Sequence, residues 1–260
     1  MFALCDSCWC SHSQTLKCGM TEQVRDNIYA TKEALPFVFD ADVSRVFEDM
    51  IKRSVPGYGL TLQMITEIAA LYAQNNSKLY DLGCSLGAST LAMAHGIKAS
   101  GCQVIGVDNS QAMVNKCVEY VKQSPVPVTV VHGDIQDVQF EDASVVVLNF
   151  TLQFIPKEQR LALIKHIYEG MRRGGVLVLS EKVSFDDAFE QQQHIMLHES
   201  FKKAQGYSEM EVSRKRQAIE NVLVPEAIEA HHARLQAAGF EKSQVWFQCF
   251  NFVSMLAYKI

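Results

Sequence analysis

Asp81-Leu82-Gly83-Cys84-Ser85-Leu86-Gly87 places two glycines directly after a short apolar run, Leu79, Tyr80 and Leu82. Glycine allows a backbone to approach a ligand closely, and a strand–turn–helix offers that ligand free N–H groups and a helix N-terminus. The spacing Asp-x-Gly-x-x-x-Gly differs from the G-x-G-x-x-G turn of dinucleotide enzymes. Three more polar residues close apolar runs. Asp108 ends CQVIGVDN, where a carboxylate can accept both hydroxyls of a ribose; its competing role is to cap a helix near Ser110. Asp134, in Gly133-Asp134-Ile135, can accept an exocyclic amine while the next N–H meets a ring nitrogen; a solvated turn is the alternative. Asn149 ends the apolar run 144–150 and can hold polar parts of a ligand. Four such ends in one chain form a set that chance would not assemble.

The elements that must carry these residues are legible from periodicity. Val43, Val46, Phe47, Met50 and Ile51 recur at helical spacing over 41–53, and Asp40 can cap that helix. Pro56-Gly57 forces a turn, and a second amphipathic helix is predicted from Leu60 to Ala73. Strands at 79–83, 102–108, 126–131, 144–150 and 175–181 then alternate with helices. The helix opened by Pro156 is predicted to end at Gly174-Gly175. From Ser184 to about Val224 the rhythm stops in a charged, helical insertion, which in a doubly wound fold lies over the carboxyl edge of the sheet. A last helix runs from Pro225 to Ala238, and 243–249 with 252–260 form a closing antiparallel pair. The fold class is α/β. The D-x-G-x-x-x-G turn resembles motif I of class I S-adenosylmethionine-dependent methyltransferases, whose Rossmann-like sheet has seven strands.

Bulk properties bound the rest. The 260 residues are 48% apolar, enough for one domain over 25–260. A formal charge of −5 and a pI near 5.9 argue against a broad basic surface for nucleic acid. No run reaches the length of a membrane span and no basic-then-apolar leader opens the chain, so a cytoplasmic protein is expected. Cys5, Cys8, Cys10 and Cys18 crowd the first residues; with His12 they lack the paired spacing of a zinc site, and 1–24 reads as a disordered leader with Met20 as the working start. Residues 20–36 are polar and aperiodic, an arm rather than an element. Cys84, Cys102, Cys117 and Cys249 suit reduced thiols. His194 and His198 stand one helical turn apart without a third ligand, so no metal is expected.

IKRSVPGY, YDLGCSLGAST, VDNS, VVLNFTLQF, GGVLVLSEK, FKKAQGYSEMEVSRKR with ENV, and WFQCFNF together resemble the carboxy-S-adenosyl-L-methionine synthases, once described as transfer-RNA uridine-5-oxyacetate methyltransferases. The resemblance covers about 25–260. It implies a homodimer that binds S-adenosyl-L-methionine and prephenate and makes carboxy-S-adenosyl-L-methionine and phenylpyruvate. Prephenate would fragment to phenylpyruvate, carbon dioxide and hydroxide; hydroxide would remove a sulfonium methyl proton, and the ylide would capture the carbon dioxide. A separate tRNA carboxymethyltransferase would use the product on a wobble uridine. By motif, Tyr58, Gly83, Cys84, Ser85, Asp108, Asn109, Asp134, Ile135 and Asn149 would contact the cofactor. Arg216, in SRKR, would pair with the new carboxylate as the catalytic residue. A guanidinium suits that role, being permanently charged and bidentate. On spacing alone Arg216 reads as a solvated helix position. Lys52, Arg53, Lys182, Lys202 and Lys203 are further cations for the dianion, unranked among themselves. Trp246, Phe247, Phe250 and Phe252 read as core and dimer-interface aromatics. The alternatives are a conventional methyltransferase for a small molecule or tRNA, and a non-catalytic cofactor-binding partner.

Overall fold

Short β-branched runs alternating with amphipathic helices build one seven-stranded sheet in the computed structural model, which describes residues 25–31, 37–219 and 222–260. The strands are β1 (Lys78–Leu82), β2 (Gln103–Asp108), β3 (Val128–His132), β4 (Ala143–Asn149), β5 (Met171–Lys182), β6 (Lys242–Cys249) and β7 (Phe252–Tyr258). Their spatial order is β3-β2-β1-β4-β5-β7-β6, parallel as far as β5, with β7 antiparallel to both β5 and β6. The order reverses at β1, so a crevice opens at the carboxyl ends of β1 and β4, the usual ligand position in such sheets. The leader and its cysteines lie outside the described residues.

The helices are α1 (Ile28–Thr31), α2 (Ala41–Ser54), α3 (Tyr58–Tyr72), α4 (Ala88–Gly96), α5 (Gln111–Tyr120), α6 (Lys157–Gly170), α7 (Ala188–Ala204), α8 (Glu209–Ile219) and α9 (Ile228–Ala238). Alternation along β4 decides which of them cover which face. Val146 and Leu148 point to one core with Leu163, Ile164 and Ile167 of α6 and Leu235 of α9. Val145 and Val147 point to the other, with Ile65 and Ile68 of α3 and Met93 of α4. A smaller cluster joins Val43, Val46 and Met50 of α2 to Tyr29 of α1, Leu86 and Ala218 of α8, and so seats the N-terminal helices and the insertion on one another.

Three boundaries differ from the sequence reading. The arm at 20–36 contains α1 among its described residues. The turn at Pro56-Gly57 delivers the chain straight into α3, where the Thr61 N–H already donates to the Gly57 carbonyl at 2.9 Å, so that helix starts at Tyr58 rather than Leu60. Gly174-Gly175 does not end α6, which stops at Gly170. The pair sits inside β5, where the register against β4 jumps from Ala143↔Met171 to Val145↔Val176. Gly174 has φ +77, and a bulge there needs a residue that tolerates it. Among the described residues no helix is long and apolar enough to cross a membrane.

Candidate active site

The ten residues singled out by motif line one cavity of about 910 Å³ at the carboxyl edge of the sheet. Its floor is the turn after β1. Gly83 and Cys84 N–H groups both donate to the Val107 carbonyl, at 2.8 and 3.0 Å, which ties that turn to β2. Gly83 has φ +78, and a Cβ on it would lie 2.5 Å from the Thr151 side chain, so neither the backbone nor the space admits a larger residue. The Cys84 thiol packs into a buried cluster with Cys117 and Val121 beneath the turn, leaving Cys84 and Ser85 to present backbone. Asp81, the motif carboxylate, is buried and accepts from Thr90 Oγ1 at 2.6 Å. Burial first, and the nearby Asp108, push its pKa up to about 7. It pins α4 to β1 and does not line the cavity.

Asp108 closes β2 and does not cap α5. Ser110 is the cap, its hydroxyl accepting from the Met113 N–H. The Asp108 carboxylate accepts instead from the backbone N–H groups of Ser85 and Ser110, each at 2.8 Å, one on each oxygen. Burial raises its pKa, while those N–H groups and His132 draw it back. Each oxygen keeps a lone pair for a ligand hydroxyl. Asp134 accepts from the Gln136 N–H at 2.9 Å in a turn of its own, and Asn109 offers its carbonyl to His132 at 3.1 Å. Asn149 Nδ2 donates to Ser89 at 3.0 Å, while its Oδ1 is buried with no partner at the edge of the cavity. Tyr58, on the first turn of α3, packs with Phe150 and Phe252 at the wall. Asp108→Asn keeps the shape and weakens two charge-assisted bonds. It is expected to weaken nucleoside binding by about 1.5 kcal/mol, roughly tenfold, measured by calorimetric titration with S-adenosyl-L-homocysteine.

The insertion supplies the opposite charge. Arg216, near the end of α8, lines the cavity with its side chain 53% exposed and its Nη1 3.2 Å from Glu199 of α7. Lys182, Lys202 and Lys215 join it, and the pKa values of Lys202 and Lys215 are drawn down to about 8, chiefly by burial. Of the other expected cations, Lys52 reaches the cavity but is paired with Glu48 at 2.7 Å. Arg53 is turned away: it donates to the Gln205 and Asp26 carbonyls and to Asp49, and stacks over Tyr207 at 3.8 Å. Lys203 is on the surface with Glu209 at 2.9 Å.

Two residues went unassigned in the sequence. Asn251, read only as the break between two strands, lines the cavity with a buried, unpartnered Oδ1. Its signal in the sequence was an amide set between two phenylalanines, Phe250 and Phe252, at that break. His198 lines the cavity too, bonded through Nε2 to the Ser54 carbonyl at 2.8 Å, whereas His194 stacks on Phe185. Among the described residues no group of His, Cys, Asp and Glu could hold a metal. Burial, with Lys202 and Lys182 nearby, lowers the His198 pKa to about 3, and burial lowers that of His231 to about 4. Both sit below the ordinary value of 6.5, so the unfolded chain binds protons that the folded chain refuses. Stability is therefore full above pH 6.5 and falls as pH drops toward 4 and 3. The midpoint of urea unfolding is expected to be lower at about pH 5 than at about pH 7, and His231→Gln is expected to reduce that difference.

The family model for a methyltransferase domain matches residues 79–175, the part from β1 into β5. A carboxy-S-adenosyl-L-methionine synthase of Geobacter sp. (strain M21) is 54% identical over 239 residues, 90% of this chain and 98% of that protein. Another, of Marinobacter nauticus, is 54% identical over 241 residues, 92% of this chain and 96% of its own. The chain belongs to the carboxy-S-adenosyl-L-methionine synthase family. Among solved structures, human N-acetylserotonin methyltransferase in complex with SAM superposes with a TM-score of 0.56 at 15% identity, over 84% of this chain and 55% of that one. At that identity the likeness concerns the sheet and its helices alone. The synthase relatives match nine-tenths of this chain at 54% identity, against 15% for that methyltransferase.

Proposed function

We propose that this chain converts S-adenosyl-L-methionine and prephenate to carboxy-S-adenosyl-L-methionine and phenylpyruvate. One observation carries the reading: a nucleoside-type set of strand ends and a cationic wall from α7 and α8 share one cavity. Asp108 would take the ribose hydroxyls, Asp134 and the Ile135 N–H the adenine edge, and Asn149 Oδ1 the ammonium of the amino acid portion. Tyr58 and the Gly83-Cys84-Ser85 backbone would enclose the remainder, beside Asn109. The sulfonium supplies an acidified methyl group.

In the reaction, the bond between the prephenate ring and its carboxyl group breaks, the ring becomes aromatic, and hydroxide departs. The hydroxide accepts a methyl proton to give water, and the methyl carbon bonds to carbon dioxide. Charge balances: a dianion and a sulfonium become a monoanion, water and a sulfonium bearing a carboxylate. A cavity holding such species beside one another needs fixed positive charge, and Arg216 supplies it as a permanent cation. Mass spectrometry of the nucleoside after incubation with both substrates tests this: the expected product is S-adenosyl-L-methionine heavier by one carboxyl group. Methyl transfer to an acceptor, independent of prephenate, would replace the proposal with an ordinary alkylating enzyme. A two-copy assembly and delivery of the product to a tRNA-modifying enzyme complete the proposed setting.

A further inference from the structure

A buried ammonium without a counter-ion is costly, so one kept at a cavity wall is suited to hold an anion. Lys202 of α7 is 6% exposed, and Lys182 at the carboxyl end of β5 is partly buried; both line the cavity. Among the described residues neither ammonium has a hydrogen-bond or ion-pair partner. The charged and titratable groups facing Lys202 are Lys182 from β5, His198 and Glu199 from α7 itself, and Lys215 and Arg216 from α8. Lys215 is already held by Asp26 at 3.3 Å, and Glu199 by Arg216 at 3.2 Å. His198 is neutral. Two positive charges thus stand at the cavity wall with no described neighbour to neutralise them.

We propose that Lys182 and Lys202 form an anion seat that takes a carboxylate of the dianionic co-substrate, leaving Arg216 for the carboxyl group once transferred. The inference rests on the carboxyl-transfer reading above and assigns the recognition of the second substrate within it. The seat has a chemical consequence. The co-substrate enters with two negative charges and leaves with one, so a pair of lysines holds it more tightly before the reaction than after, and favours release of the keto acid. The seat is also sensitive to alkali. Burial first, then Lys182, Lys215 and Arg216, bring the Lys202 pKa down to about 8. Anion binding is therefore full below about pH 8 and weakens above it as Lys202 loses its proton.

Steady-state kinetics of the full chain with Lys202→Met and Lys202→Arg, from about pH 6.5 to 9.5, tests the seat, alongside calorimetric titration of S-adenosyl-L-methionine. Lys202→Met is expected to raise KM for prephenate about 30-fold or more, with the S-adenosyl-L-methionine Kd within about twofold of the parent. The parent KM is expected to climb about tenfold per pH unit on the alkaline side, and the arginine variant, which keeps its charge, is expected to lose that limb. Lys182→Met provides the second reading, with the same selective rise. Equal losses for both ligands, or an unchanged alkaline limb in Lys202→Arg, overturn the seat. A parent enzyme that turns prephenate over while both methionine variants keep its KM overturns the seat and leaves the carboxyl-transfer reading standing. A parent that yields no carboxylated nucleoside overturns both.

Discussion

Arg216→Ala is expected to leave S-adenosyl-L-methionine binding intact while weakening carboxy-S-adenosyl-L-methionine by about 2–5 kcal/mol, the cost of removing one partner from a charge-assisted pair. The two ligands differ by one carboxylate, so the ratio of their dissociation constants isolates what the guanidinium does. The side chain is 53% exposed and shares its charge with Glu199, which places the expected value toward the lower end of that range. Arg216→Lys keeps the charge but loses the planar fork, and is expected to recover part of the discrimination. Paired titrations of both nucleosides decide the matter. An equal loss for the two would move Arg216 from the carboxylate to the nucleoside.

The second large effect concerns a residue away from the chemistry. Arg160 of α6 is fully buried, and its guanidinium donates to the Gln153, Ile155 and Val224 carbonyls and to Glu226. Arg234 meets the same carboxylate at 2.5 Å. Gln153 and Ile155 follow β4, while Val224 and Glu226 follow the insertion, so one side chain bolts together two segments that border the cavity. Arg160→Met leaves Glu226 with half its cations and the Ile155 and Val224 carbonyls without a donor, while the Gln153 carbonyl keeps only the Val224 N–H. The expected cost is about 3–5 kcal/mol of folding stability, read from urea unfolding midpoints. Restoring charge with Arg160→Lys is expected to recover little, because one ammonium cannot reach that spread of acceptors.

Much of the sheet was legible because its strands are apolar runs bounded by glycine and aspartate, and period and punctuation agree there. The polar residues that close those runs, Gly83, Asp108, Asp134 and Asn149, were legible for the same reason: each breaks an apolar pattern where the chain must turn. The error at Gly174-Gly175 has a physical cause, since a glycine pair serves a strand bulge as well as a helix end, and only pairing with β4 decides between them. The insertion was harder. Lys182, Lys202, Arg53 and Lys203 look alike in sequence, and what separates them is the fold: Arg53 is drawn to Asp49 and Tyr207, Lys203 to Glu209, and the other two are left facing the cavity. No period marks which face of α7 will be covered. Asn251 stood out only as an amide between phenylalanines, and its unpartnered oxygen is a property of packing.

Lys215, Asp26, Tyr207 and Ser54 make one buried polar knot, with Asp26 also donating its backbone N–H to Asp49 at 2.7 Å. The knot gives the two grips on the ligands different mechanical supports. In the proposed function the nucleoside would be grasped by the sheet, which is continuous with both cores. The proposed anion seat would instead be shared between the sheet, through Lys182, and a two-helix cover fastened by a segment ahead of α1. Tension applied to that segment would be expected to loosen the helical half of the hold on the acid and to spare the hold on the nucleoside.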